Sequence, residues 1–136
     1  MTYIDGYLVP VRADRKEAYR SLAERASRIM KEYGALRIVE CWPDAEPDGD
    51  AKFHGIDARE ALRERSSDAI RDFAGAGGAQ AGEVVVLSWT EWPDKATRDR
   101  GLAAAMADPR LQFVGEEPVF DGKRLIASGF VPLVVR

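Results

Sequence analysis

Apolar positions along the chain keep two periods. Residues 2–11, "TYIDGYLVPV", crowd Tyr, Ile, Leu and Val into a short run that predicts a first strand, with Pro10 removing a backbone donor near its end. The period then lengthens. Tyr19, Leu22, Ala26, Ile29, Met30 and Tyr33 fall on one stripe of a helix, while Arg20, Glu24, Arg28 and Glu32 line a solvated face at spacing four. Asp14 followed by Glu17 predicts a capping box at its start, and Gly34 a left-handed stop at its end. "ALRIVECW" predicts a second strand, closed by Pro43. "GEVVVLSWTEW" predicts a third, and its stretch Val84 to Leu87, apolar on both faces, predicts an interior strand covered on both sides. Pro93 ends it and Asp94 caps a helix from Lys95 to about Ala107, after which Asp108-Pro109 opens a further turn. "FDGKRLIASGFVPLVV" begins with an Asp-Gly turn and ends as a fourth strand.

Between the second and third strands the pattern thins. Residues 44–82 read as an insertion that opens with the turn-forming "PDAEPDGD". A helix over Asp57–Phe73 comes next, with a thin stripe of Ala58, Leu62, Ile70 and Phe73, and then a flexible linker, "AGAGGAQAG". The helix is expected to dock through Phe73 and Ile70, leaving Arg59, Arg63 and Glu64 in water. The order strand, helix, strand, insertion, strand, helix, strand defines an α+β fold. It is the ferredoxin-like βαββαβ plan with an antiparallel four-stranded sheet, expected as one domain over 1–136. Helices on one face would leave the other face of such a sheet half exposed, which predicts a homodimer through it.

Trp-Pro-Asp occurs twice, at Trp42 and at Trp92. If the two halves of the plan are equivalent, Asp94 corresponds to Asp14 and Trp92 to Arg12, so Trp42 has no counterpart there. Each copy is then a strand end: an aromatic packing at the sheet edge, a proline that stops the ladder, and an acid that starts the next element, a helix in one case and a loop in the other.

Composition narrows the chemistry. Twenty basic against 23 acidic side chains give a net charge of −3, which offers no electrostatic reason to bind nucleic acid or an anionic membrane. A single cysteine, Cys41, excludes an internal disulfide and suits a reducing, cytoplasmic setting. The N-terminal run, which carries Asp5, reads as a strand and not a signal peptide. The one histidine, His54, has no cluster of ligands around it in sequence, so no metal and no cofactor is expected. Cys41 lies on a strand without a histidine or helix start to activate it. "GAGG" precedes a strand, whereas phosphate loops come after one.

Polar residues inside the apolar strands are the better candidates. Alternation places Asp5 with Tyr7 on one face of the first strand, Ile38, Glu40 and Trp42 on one face of the second, and Trp89 with Glu91 on one face of the third. Asp5, Glu40 and Glu91 are candidate acids or bases, and Tyr7, Trp42 and Trp89 candidate ligand contacts. Trp42 and Trp89 together would wall a cleft between sheet and helices. The structural reading has Glu40 and Asp5 paired with Arg37, Arg124 or a partner subunit.

"YIDGYLVPV", "EYGALRIVECW", "PDG", "LSWTEWPDKATRD", "MADPR" and "FDGKR", in this order and with "GF" after them, resemble the DUF1428, or YbaA-like, family. The resemblance covers the chain except most of residues 51–81, a stretch that looks longer and richer in Gly and Ala than the family would have. It implies membership of the dimeric α/β-barrel superfamily, which includes cofactor-free monooxygenases, haem-handling enzymes and small isomerases, and it carries over no catalytic residue. The first expectation is a homodimer that binds a small molecule without catalysis. The second is a cofactor-independent monooxygenase or isomerase acting on a small aromatic or enolisable compound. RNA association ranks last, because the helix charges alternate in sign. The first two are separated by whether a concave pocket holds an acid or base that nothing neutralises.

Overall fold

β1 (Tyr3–Arg12) runs through the interior of a four-stranded sheet with β3 (Glu83–Trp92) beside it; β2 (Arg37–Cys41) and β4 (Ile126–Phe130) are the edges. The order is β2-β3-β1-β4 and every observed pairing is antiparallel. The computed structural model describes residues 2–45 and 72–136. The expected helix over Asp57–Phe73 therefore lies outside the described residues except for its last two positions. α1 (Lys16–Glu32) connects β1 to β2, a one-turn α2 (Phe73–Ala76) precedes β3, and α3 (Lys95–Ala107) comes after it.

The registers fix the two faces. Tyr7 stands opposite Ser88, Glu40 opposite Ser88 from the other side, and Asp5 opposite Thr90. These positions, with Val9, Val11, Val86 and Trp92, form the face beneath the helices. Residues one position along, among them Leu87 and Trp89, form the other face. Leu87 is 40% exposed while Val86 is 1% exposed, so β3 is central but fully covered on one side only. Val85, on the open side, is buried locally. A Cβ at Gly77 would lie 2.7 Å from both Val85 γ carbons, so the backbone after α2 packs directly on it. The glycine-rich stretch is thus built into the fold. Asp72 caps α2 by accepting from the Gly75 amide at 2.6 Å, Arg124 donates to the Gly78 carbonyl at 2.7 Å, and Gly78 and Gly82 adopt φ of +83° and +79°. Phe73 begins this helix instead of ending one, and it is exposed.

Other local expectations shift. Asp14 caps nothing: it sits in a 3-10 turn (Ala13–Arg15) and pairs with Arg12 at 2.6 Å, and α1 starts without a side-chain cap. Asp94 does cap α3, accepting from Thr97 at 2.7 Å, and Asp108 caps the Pro109–Leu111 turn. β1 keeps its pairing with β3 to Arg12, past Pro10, because β4 has already ended opposite Leu8. Residues 131–135 do not continue β4, and Val131, Leu133, Val134 and Val135 are exposed. Trp92 is not at a sheet edge: it ends a central strand and is fully buried.

The core has two centres. Val9, Val11, Tyr19 and Val86 form one, with Trp42, Phe120 and Leu125 against it. Met30, Ala35, Trp92 and Ala105 form the other, with Ile38, Leu102 and Leu111. α3 approaches the second closely, since a Cβ at Gly101 would meet the Tyr33 carbonyl and the Trp92 ring.

Candidate functional site

Between the two core centres the sheet and helices leave a cleft with two lobes. The inner lobe, about 260 Å³, runs under α1 and α3 and draws its walls from both centres, among them Val9, Met30, Leu102 and Phe120. The outer lobe, about 280 Å³, opens between α1 and β2 beside Lys16, Arg20 and Trp42. Tyr19, Ala23, Ser27, Ile38 and Glu40 line both. The lobes therefore meet at Tyr19 and Glu40, where the Tyr19 hydroxyl donates to the Glu40 carboxylate at 2.7 Å.

The floor of the inner lobe is a row of polar side chains across three strands: Tyr7 on β1, Ser88 on β3 and Glu40 on β2, with Thr90 one row along. Glu40 is exposed as a whole residue, but its carboxyl end is desolvated. Desolvation raises its pKa above the ordinary carboxylate value, against the opposing pull of hydrogen bonds from Tyr19 and Ser88. Among the described residues no Lys or Arg pairs with it. Burial and the Glu40 charge also push the Tyr19 phenol up. Desolvation of the half-buried Tyr7, and then the nearby Asp5 charge, push its pKa up to about 12.

The structure divides the six candidates by strand parity. Asp5, Tyr7, Glu40 and Trp42 lie on the helix-covered side. Trp89 stands opposite Val39, on the other face, so it cannot share a cleft wall with Trp42. Glu91 goes with Trp89: it accepts from the Trp89 indole at 3.2 Å and pairs with Arg37 at 3.6 Å. Asp5 does not line the cleft. It is 2% exposed and is held by Arg98 at 2.7 Å and the Trp92 indole at 3.0 Å, while Arg124, another expected partner, pairs with Glu83 at 2.6 Å. Trp42 borders the outer lobe, its ring 6.4 Å from that of Tyr19 with the Lys16 ammonium 5.9 Å above it. His54 lies outside the described residues. Among those described, no group of three His, Cys, Asp or Glu side chains is placed to hold a metal, and no helix is long and apolar enough to cross a membrane.

Tyr19, Ser88 and Thr90 were not singled out in the sequence. The signal for the last two was present: Val84, Val86, Ser88, Thr90 and Trp92 alternate on one face, and two hydroxyls interrupt an apolar row. Tyr19 read as a member of the helix's apolar stripe, and its ring does pack in the core. Nothing local announced that its hydroxyl would meet Glu40, 21 residues away.

The fold is ferredoxin-like α+β. Two solved structures share it: a dimeric ferredoxin-like protein from an uncultured marine organism (TM-score 0.52, 11% identity, covering 100% of both chains), and a NIPSNAP-like domain protein from Burkholderia xenovorans (TM-score 0.50, 13% identity, covering 97% of this chain and 85% of that one). The chain belongs to the DUF1428 family, described as a protein of unknown function, whose model matches residues 2–122. It is 42% identical over 134 residues to the uncharacterized protein YbaA of Escherichia coli K12, covering 98% of each chain, and equally to YbaA of Shigella flexneri.

Proposed function

We propose that this protein binds a small, mostly apolar molecule in the inner lobe of the cleft. One observation carries the reading: a concavity of about 260 Å³ with apolar walls and a short row of hydroxyl and carboxyl groups converging on its floor. Sites for small molecules combine an apolar enclosure that supplies affinity with a few fixed polar groups that orient the ligand. Thermal stabilisation by members of a metabolite library tests it, since a ligand that binds only the native state raises stability by mass action. Stabilisation by no compound that fits the lobe would count against the reading.

A second reading, cofactor-independent isomerisation of an enolisable compound, is favoured by Glu40. A general base requires a carboxyl of raised pKa that no cation neutralises, within reach of a bound ligand. Glu40 would take a proton from a carbon beside a carbonyl and return it to another carbon, with Tyr7 donating to the enolate oxygen. Deuterium uptake from solvent by a bound ketone, monitored by NMR and lost in Glu40→Gln, tests this.

We further propose a homodimer through the open sheet face, where Leu87, Ile126 and Phe130 are exposed. Sedimentation showing only a 15.0 kDa species at micromolar concentration would exclude it. The lone Cys41 suits a reducing, cytoplasmic setting.

A further inference from the structure

Among the described residues the inner lobe has a polar floor but no positive charge. Hydroxyls of Tyr7, Tyr19, Ser88 and Thr90 and the carboxyl of Glu40 border it, and none of its described lining residues is Lys, Arg or His. Lys16 and Arg20 line the outer lobe, beyond the Tyr19–Glu40 contact, and Arg98, whose charge reaches Tyr7, is held by Asp5 at 2.7 Å. From this, and resting on the ligand-binding reading above, we infer that the inner lobe takes an uncharged ring bearing a hydroxyl or carbonyl group and rejects carboxylates, with Glu40 as the discriminating residue.

Three physical arguments support this class. A carboxylate in the lobe would give up its water among apolar walls and meet a like charge with no counter-ion among the described residues, so both desolvation and repulsion oppose it. A ligand hydroxyl or carbonyl meets neither cost. Tyr and Ser hydroxyls rotate to donate or accept, so the floor can complement either group. An ammonium would be attracted to Glu40, but that carboxyl already accepts hydrogen bonds from Tyr19 and Ser88. The ammonium would exchange full hydration for the two acceptor sites that remain on one carboxylate, among apolar walls that solvate none of its other protons. The volume suits one or two fused rings of about ten heavy atoms, given that small-molecule pockets start near 300 Å³.

The test is a matched set on the intact protein: naphthalene, 2-naphthol, 2-naphthoate and 2-naphthylmethylammonium, titrated calorimetrically against wild type and Glu40→Gln. Gln keeps an acceptor for Tyr19 and removes the charge. 2-Naphthol should bind wild type at least about tenfold tighter than 2-naphthoate, or about 1.4 kcal/mol. In Glu40→Gln that gap should shrink to about threefold or less, with 2-naphthol itself little changed. Nuclear Overhauser contacts from the ring to the Met30 and Met106 methyls, both on the lobe wall, locate the ligand without a disruptive substitution. Naphthoate or the ammonium binding as tightly as naphthol, with those contacts present, overturns the inference and leaves the ligand-binding reading standing. So does a charge preference that Glu40→Gln leaves unchanged. No binding by any of the four, or binding without those contacts, overturns both.

Discussion

The Arg98 guanidinium, on α3, closes on the Asp5 carboxylate, on β1, through contacts of 2.7 and 3.0 Å, and the buried Trp92 indole donates to the same carboxylate at 3.0 Å. Ninety-three residues separate the pair, and Asp5 is almost wholly buried. Arg98 also lies over the Tyr3 ring, 5.2 Å from its centre. This contact ties α3 to the sheet beneath the second core centre. Truncating one partner strands a buried charge, which costs more than removing both. Arg98→Met should therefore destabilise the fold by about 3 kcal/mol, and the double variant Asp5→Asn with Arg98→Met should recover a large part of that loss. Urea unfolding of the three variants checks this; a double variant as unstable as the sum of the singles would refute it.

Glu40 predicts a pH dependence of the opposite sense to most carboxylates. Its pKa is raised on folding, chiefly by desolvation, so its favourable contribution is complete below the unfolded value near 4.5 and is lost as pH rises through the folded value. Glu40→Gln should thus be at least as stable as wild type at pH 7, with the difference fading as pH falls to about 4. Melting temperatures across that range measure it, and a variant clearly weaker at pH 7 would contradict the assignment.

Glu83 behaves the other way. The Arg124 guanidinium and the Gln80 amide lower its pKa from 4.5 to about 2. Its contribution is present above 4.5 and disappears as pH falls toward 2. Arg124→Gln should lower stability at neutral pH and flatten part of the acid loss. Asp108, also lowered by Arg110 and Tyr33, supplies acid sensitivity that remains. Acid titration of unfolding in the variant and wild type separates the two.

Gly101 has no room for a side chain. A Cβ there would strike the Tyr33 carbonyl and the face of Trp92, one backbone and the other fully buried, so neither can give way. Gly101→Ala should cost about 1–3 kcal/mol through overpacking, although alanine is the better helix former. A stability equal to or above wild type would show that α3 can shift.

Much of the fold was legible because its signals are local. The periods of 2 and 3.6 residues located four strands and two long helices. Asp94, Asp108 and Gly34 act where their positions in the chain suggest, because a cap or a left-handed stop involves only neighbouring amides. Asp14 shows the limit. Its capping spacing was present, but Arg12, two residues back, holds its carboxylate in a separate 3-10 turn. The glycine-rich stretch shows another: its composition suggested a free linker, and packing on Val85 made it structure.

Side-chain alternation is a property of a single strand, so the order of residues alone established that Asp5 and Tyr7, Glu40 and Trp42, and Trp89 and Glu91 would stand in pairs. Which of those faces meet was left to three-dimensional packing. Cross-strand register put Tyr7, Ser88 and Glu40 in one row beneath α1 and sent Trp89 and Glu91 to the opposite side. It gave Asp5 to Arg98 and left Glu40 to Tyr19 at the junction of two lobes. Those pairings join residues 21 to 93 positions apart, and a contact at that range is fixed by how helices pack on a sheet, which no local pattern in the chain encodes.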